Sequence, residues 1–336
     1  MGDALVREAI AAIVADAEAA FDGGRWPAHP LDDPVAPGEE AMMYLGAGGM
    51  VWALRRLGSR LDLDAVADEA LRRYREHPNE DEPASLLAGE TGPLLVTRSD
   101  DERLRALITA NERNPSWELL WGSPGTMLAA RAVGFEDEWR ASAAILVEEW
   151  DRAGGLWTNV LMGGRPAQYL GPAHGFAGAV HALRGYLSGD ELRARIEPVL
   201  RAHAVWDGDA VNWPPVVGAD PDRIQWCHGA PGIVATLGDL LPEDLLLAGA
   251  ETTWRNGPLE KGPGLCHGTA GNGYALLKTY AVTGDEIWLE RARSFAAAAL
   301  DQLQQRYSLF TGDVGAALFA QACIDVDPRF PIMDVL

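Results

Sequence analysis

The sequence predicts an all-α protein built from helical-pair repeats, and three observations carry that prediction. A Gly-x-x-Gly motif followed by an apolar stretch rich in Ala, Leu and Val recurs seven times. Charged, amphipathic segments lie between the copies, and the period-two alternation of half-buried strands is scarce while Ala is abundant. The copies are Gly46-Ala47-Gly48-Gly49, Gly89-Glu90-Thr91-Gly92, Gly122-Ser123-Pro124-Gly125, Gly175-Phe176-Ala177-Gly178, Gly229-Ala230-Pro231-Gly232, Gly268-Thr269-Ala270-Gly271 and Gly312-Asp313-Val314-Gly315. Successive first glycines lie 43, 33, 53, 54, 39 and 44 residues apart. About 44 residues hold two helices of roughly 12–15 residues with their turns.

The first helical stretch runs from Met1 to Phe21 and carries Asp3, Glu8, Asp16 and Glu18, which argues against a signal peptide. After the first glycines, Met50-Val51-Trp52-Ala53-Leu54 is apolar on every side and reads as an inner, buried helix, as does Ile233-Val234-Ala235-Thr236-Leu237 further on. Asp62 to Glu76 and Glu286 to Gln305 each carry one apolar stripe and read as outer helices. Inner helices entered through a glycine turn, alternating with outer ones, describe either an open solenoid or a closed ring. Glycine there lets the chain turn and lets inner helices approach closely, and the copies at 46, 89 and 312 need no other explanation. No spacing between copies leaves room for an extra folded unit, so residues 1–336 are read as a single domain.

The 336 residues are 48% hydrophobic and 23% charged, the composition of a folded protein. The formal net charge of −21 repels phosphate backbones and anionic lipid, which speaks against nucleic acid or a membrane surface as the main partner. No run approaches the roughly 18 apolar residues of a spanning helix. Met1-Gly2 lacks the Ser or Thr that a myristoylation signal needs at the sixth position, where Val6 stands. Three cysteines make no disulfide framework and suit a reducing compartment, so the expected location is cytoplasmic.

Three copies differ in what precedes the first glycine: Ala173-His174-Gly175, Cys227-His228-Gly229 and Cys266-His267-Gly268. Equivalent positions lie at the same end of the inner helices, so in a closed ring these side chains converge. Soft thiolate and imidazole donors are what a zinc ion takes, and two Cys with one His leave one tetrahedral position open, as in catalytic sites. Cys323 has no such setting and reads as core; His29, His77, His181 and His203 read as solvated or packing residues.

The segments Trp226-Cys227-His228-Gly229-Ala230-Pro231-Gly232 and Gly264-Leu265-Cys266-His267-Gly268-Thr269-Ala270-Gly271-Asn272 resemble the two signature segments of the lanthionine synthetase C-like family. Tyr169 to Gly175 is similar to its histidine segment, Glu118 to Gly122 to an earlier acidic one, and Leu309 to Gly315 to its last repeat. The resemblance spans about residues 40–330 and implies an α/α toroid of seven inner and seven outer helices. The accessory domain of the bacterial lanthipeptide cyclases has no place in these spacings. Together with Glu118, where those cyclases tend to have Asp, and Lys261, this leans towards the stand-alone LanC-like branch, which is associated with glutathione and with thiol addition to dehydroamino acids.

The resemblance implies Zn2+ held by Cys227, Cys266 and His267, a substrate thiol activated at the open position, and attack on the β-carbon of dehydroalanine or dehydrobutyrine in a peptide. It implies His174 as the acid/base group, a type of side chain suited to proton transfer near neutral pH, and Arg223 as a clamp on the enolate or carbonyl. Arg223 also reads as a surface partner of Asp220 or Asp222. His228 stands where the cyclases often have Tyr and is either a hydrogen-bond donor in the site or a structural residue. Glu118 either orients a site residue or answers a helix dipole, and Lys261 either meets an anionic group of the substrate or is solvated. Of the tryptophans near the glycine turns (Trp117, Trp121, Trp157, Trp213 and Trp226), some are expected to line the mouth and most to pack. The enzyme reading has a rival, a module that binds zinc and glutathione or a peptide without turnover; His174 and Arg223 favour the enzyme. A metal-free toroid acting on carbohydrate or prenyl substrates shares the architecture; its carbohydrate version would need paired carboxylates where Cys and His stand.

Overall fold

Why the inner helices differ from the outer ones is visible at their first residues. The computed structural model describes residues 2–32, 38–81, 83–161 and 164–336. The outer helices are α1 (Asp3–Ala20), α3 (Leu63–Glu76), α5 (Asp101–Asn111), α7 (Glu136–Arg152), α9 (Gly189–His203), α11 (Glu243–Asn256) and α13 (Glu286–Asp301). Several start at a polar cap: the side chains of Asp62, Asp100 and Asp285 accept from Ala65, Arg103 and Ile287 N–H, and Ser188 with Glu191 forms a reciprocal capping box. The inner helices are α2 (Ala47–Leu57), α4 (Thr91–Thr97), α6 (Ser123–Val133), α8 (Phe176–Ala182), α10 (Ala230–Leu237), α12 (Thr269–Thr283) and α14 (Asp313–Asp325). Six of these seven follow a glycine with no side-chain cap, and their opening residues are buried.

Each inner helix packs against the next, α14 packs against α2, and α1 lies on α14, so the arrangement closes. Of the two architectures that the repeat allows, the structure takes the ring: an α/α toroid. Close approach explains the second glycine of the motif. A Cβ on Gly232 would lie 1.8 Å from Trp226 O and 2.6 Å from Pro172 of the preceding copy.

The outer stripe at Glu286 ends as a helix at Asp301 rather than at Gln305, because Asp313 draws the chain inward by accepting the Gln304 and Gln305 N–H groups. A short antiparallel hairpin, β1 (Val205–Asp207) and β2 (Ala210–Asn212), is added between α9 and α10. Past α14 the chain crosses the far end of the ring. Phe330 is buried there, its ring 4.5 Å from that of Trp226 and parallel to within 5°. Ile332 and Met333 are buried beside it, and the Met333 carbonyl accepts from His181 at 2.9 Å. Cys323 and His181 are packing residues, as the sequence suggests. Among the described residues no helix is long and apolar enough to cross a membrane.

Candidate active site

The seven glycine turns place two rows of side chains around one mouth of the ring. The residue immediately before the first glycine is Leu45, Ala88, Trp121, His174, His228, His267 or Thr311; the residue before that is Tyr44, Leu87, Leu120, Ala173, Cys227, Cys266 or Phe310. Backbone bonds tie neighbouring copies together along the second row: Tyr44 N–H donates to Leu87 O at 3.0 Å, Cys227 N–H to Cys266 O at 3.0 Å, and Cys266 N–H to Phe310 O at 2.8 Å. Along the first row, the rings stack. Trp121 and His174 lie 5.1 Å apart, and His174 and His228 lie 5.8 Å apart. At Gly229 the turn needs a glycine: φ is +95°, and a Cβ would lie 2.1 Å from Arg223 O.

Cys227 and Cys266, both buried, are hydrogen-bonded to each other. The Cys266 thiol donates to Cys227, which pulls the Cys227 pKa down; the Gln225 Nε2 amide adds a second bond to the Cys227 sulfur at 2.9 Å. Cys266 is pushed well above its ordinary value by the same bond and by burial. Cys227 is therefore the more readily deprotonated of the pair. Tyr44 borders the pair, and its phenol pKa is pushed up by burial and then by Cys266.

His174 is held from two sides. Its Nδ1 lies 3.2 Å from Glu118 Oε2, and its carbonyl accepts from Asn159 Nδ2 at 3.1 Å. Glu118 is fully buried and can only accept, so Nδ1 carries the proton and Nε2 is left to the cavity. The carboxylate is fixed in turn by the N–H groups of Leu120, Trp121 and Gly122.

His228 has its pKa lowered to about 3, by burial first and then by the charges of His174, Arg223 and Lys261. Among the described residues its buried Nδ1 has no hydrogen-bond partner. Lys261 donates to Gln225 Oε1 at 3.0 Å, so a Lys261–Gln225–Cys227 chain runs into the thiol pair. Arg223 is exposed, and its charge is felt at His228; among the described residues it has no ion pair with Asp220 or Asp222. The His267 pKa is lowered by burial and then by the charges of Lys261 and Arg306, the last of which pairs with Asp32.

The structure thus brings together Cys227, Cys266, His174, His228, Glu118 and Lys261. It leaves the His267 ring apart from the thiols, and among the described residues no three His, Cys, Asp or Glu side chains are grouped so as to hold a metal ion. The donor chemistry nevertheless fits zinc: two buried sulfurs in adjacent copies, tied by the Cys227 N–H to Cys266 O bond, with the Cys227 pKa drawn down. Tyr44, Gln225, Asn159, Arg306 and Asp32 are site residues that the motifs do not reveal. For Tyr44 a signal was present, because it occupies in the first copy the position of Cys227 and Cys266 in the fifth and sixth.

A closed double ring of helices with Cys-His-Gly turns at one mouth defines a LanC-type α/α toroid. The chain belongs to that family: the model described as lanthionine synthetase C-like protein matches residues 4–335. Glutathione S-transferase LANCL1 of Danio rerio is 32% identical over 188 residues, 50% of this chain and 46% of that protein. LanC-like protein GCL1 of Arabidopsis thaliana is 30% identical over 186 residues, 49% of this chain and 43% of that one. The chain spans about half the length of these curated relatives. Among solved structures, nisin cyclase superposes with a TM-score of 0.64 at 16% identity, over 94% of this chain and 93% of that one, a likeness of fold.

Proposed function

We propose that the chain catalyses addition of a thiol to dehydroalanine or dehydrobutyrine in a peptide, forming a thioether. The observation that carries this reading is the placement of the Cys227–Cys266 pair beside His174, whose Nδ1 is engaged by buried Glu118. In the reaction the substrate S–H is lost, the sulfur bonds to the β-carbon as the Cα=Cβ π bond breaks, and the α-carbon takes a proton. Cys227 and Cys266, with His267 as the third ligand that family membership suggests, would hold a zinc ion, which supplies a lowered pKa for the substrate thiol. His174 delivers the proton from Nε2, and Glu118 holds the ring through Nδ1. Arg223 and Lys261, cations at the mouth, face the developing enolate and the substrate's carboxylates. Trp121, stacked on His174, walls the side where the peptide enters.

The thiol is a peptide cysteine or glutathione. The name of the fish relative, glutathione S-transferase, and the charge of Lys261 favour glutathione as one donor. A reducing cytoplasm is the setting in which buried free thiols keep this chemistry. The test is metal analysis of purified protein with mass spectrometry of a dehydroalanine peptide incubated with glutathione. Wild type should carry about one zinc and yield the adduct. Cys227→Ala and Cys266→Ala should lose zinc and product together, whereas His174→Ala should keep zinc and lose turnover. Zinc and peptide binding without product would leave a binding module, and unchanged turnover in His174→Ala would remove His174 as the proton donor.

A further inference from the structure

We infer that the hollow at the far end of the ring, opposite the cysteine mouth, is a second binding site, which takes a small organic anion whose carboxylate or phosphate head is held by Arg56, Arg131 and Arg184. The hollow has a volume of about 460 Å³, a size that suits a small molecule rather than a folded partner. Its wall lies where three inner helices finish: Arg56 and Arg131 stand in the last turns of α2 and α6, and Arg184 lies just past α8. Leu128 and Met333 add apolar surface, and Asp334 is the carboxylate side chain on the wall among the described residues. The whole chain has 49 acidic residues and 28 basic ones, so three guanidiniums around one carboxylate reverse the balance of the molecule.

Ion pairs account for Arg184 alone. Its Nη1 and Nη2 both reach Asp239, each at 2.8 Å. Asp334 is engaged elsewhere: it accepts from Phe330 N–H at 2.7 Å and lies 3.6 Å from His181. Among the described residues no carboxylate is within ion-pair distance of Arg56 or Arg131. Arg56 instead lies over Trp52, 3.6 Å from the ring centroid, and Arg131 donates to Arg184 O at 2.9 Å. Burial pulls the Arg56 pKa down to about 10, and the charges of Arg329 and Arg55 add to that fall. A cation in a last turn also answers the helix dipole. In α2, however, Arg55 already fills that role and is paired with Asp64, so Arg56 is a surplus charge facing the hollow. Guanidinium forks bind carboxylate and phosphate oxygens in pairs, which fixes the chemistry of the head group.

Wild type, Arg56→Gln, Arg131→Gln and Lys261→Gln are melted in chloride, then with inorganic phosphate or hexanoate replacing chloride at constant ionic strength. Lys261 stands at the cysteine mouth and controls for anions held there. The expected result is a wild-type midpoint that rises and saturates with the anion, equally in Lys261→Gln, with the rise cut by about half or more in each arginine variant. A larger rise with hexanoate assigns a carboxylate on an apolar body; a larger rise with phosphate assigns a phosphate head. If an arginine variant melts far below wild type in chloride, Arg56→Lys takes its place, keeping the charge and losing the fork, and a smaller rise is expected again. No rise with either anion overturns the inference. So does an equal rise in wild type and the arginine variants, or a rise lost in Lys261→Gln, which would put the anion at the mouth.

Discussion

Glu118 uses its two oxygens for four contacts, three with backbone N–H groups at the entry to α6 and one with His174. That division of labour makes it a probe of the proton step. Glu118→Gln keeps the shape and an acceptor for Trp121 and Gly122, but it presents an amide where the carboxylate met His174. The ring loses the acceptor that fixed Nδ1–H and can take the other tautomer. Turnover with a dehydroalanine peptide should fall by roughly 10²–10⁴-fold while metal content stays at the wild-type level. A Glu118→Gln enzyme with the wild-type kcat would show that the pair takes no part in proton delivery.

Beyond α14, the stretch that crosses the far end of the ring is tied to the site through one stack. Phe330 lies flat on Trp226 and edge-on to Tyr274, with centroids 4.5 and 4.9 Å away, and Trp226 is the residue before Cys227. Truncating a fully buried Phe costs about 3–5 kcal/mol, so Phe330→Ala should lower unfolding stability in urea by that amount and change the tryptophan emission. A loss below about 1 kcal/mol would mean that this crossing contributes little to the ring.

How the helices are ordered was legible because the Gly-x-x-Gly copies mark every inner helix, and Cys-His-Gly was legible because it occurs twice in the same register. The pairing of Glu118 with His174 joins residues from adjacent copies, and the Lys261–Gln225–Cys227 chain likewise crosses between copies, so neither has a local pattern to betray it. The hairpin at Val205–Asn212 is too short to show an alternation. His267 feels the charges of Lys261, Arg306 and Asp32, which come from distant parts of the chain and which no spacing encodes.

For the molecule as a whole, His181 adds a component of acid sensitivity separate from those of His228 and His267 at the mouth. His181 is buried where α8 meets the chain's last crossing. It faces the Met333 carbonyl, Asp334 at 3.6 Å, Arg184 and Lys278, and burial lowers its pKa. A lowered folded-state pKa means that the unfolded chain binds the proton first as pH falls below about 6.5. Above that pH the residue adds no pH dependence; below it stability declines, by at most about 1.4 kcal/mol per pH unit. His181→Gln, which keeps an N–H for Met333, should flatten the curve of melting midpoint against pH between 5 and 6.5 relative to wild type. Parallel curves would place the titration elsewhere.

Closure of the ring by α14 against α1 and α2 carries a further implication. In an open row of seven units the outermost have one neighbour each, and unfolding can start there and run inward. Seven units in a circle share seven joints, so none is a terminus and no place exists from which to peel. The joint that completes the circle links segments almost the whole chain apart, yet the entropy of joining them grows only with the logarithm of that distance. Its main cost is time: the last seam closes only after the other six are in place, and until then the apolar flanks of the first and last units stand uncovered.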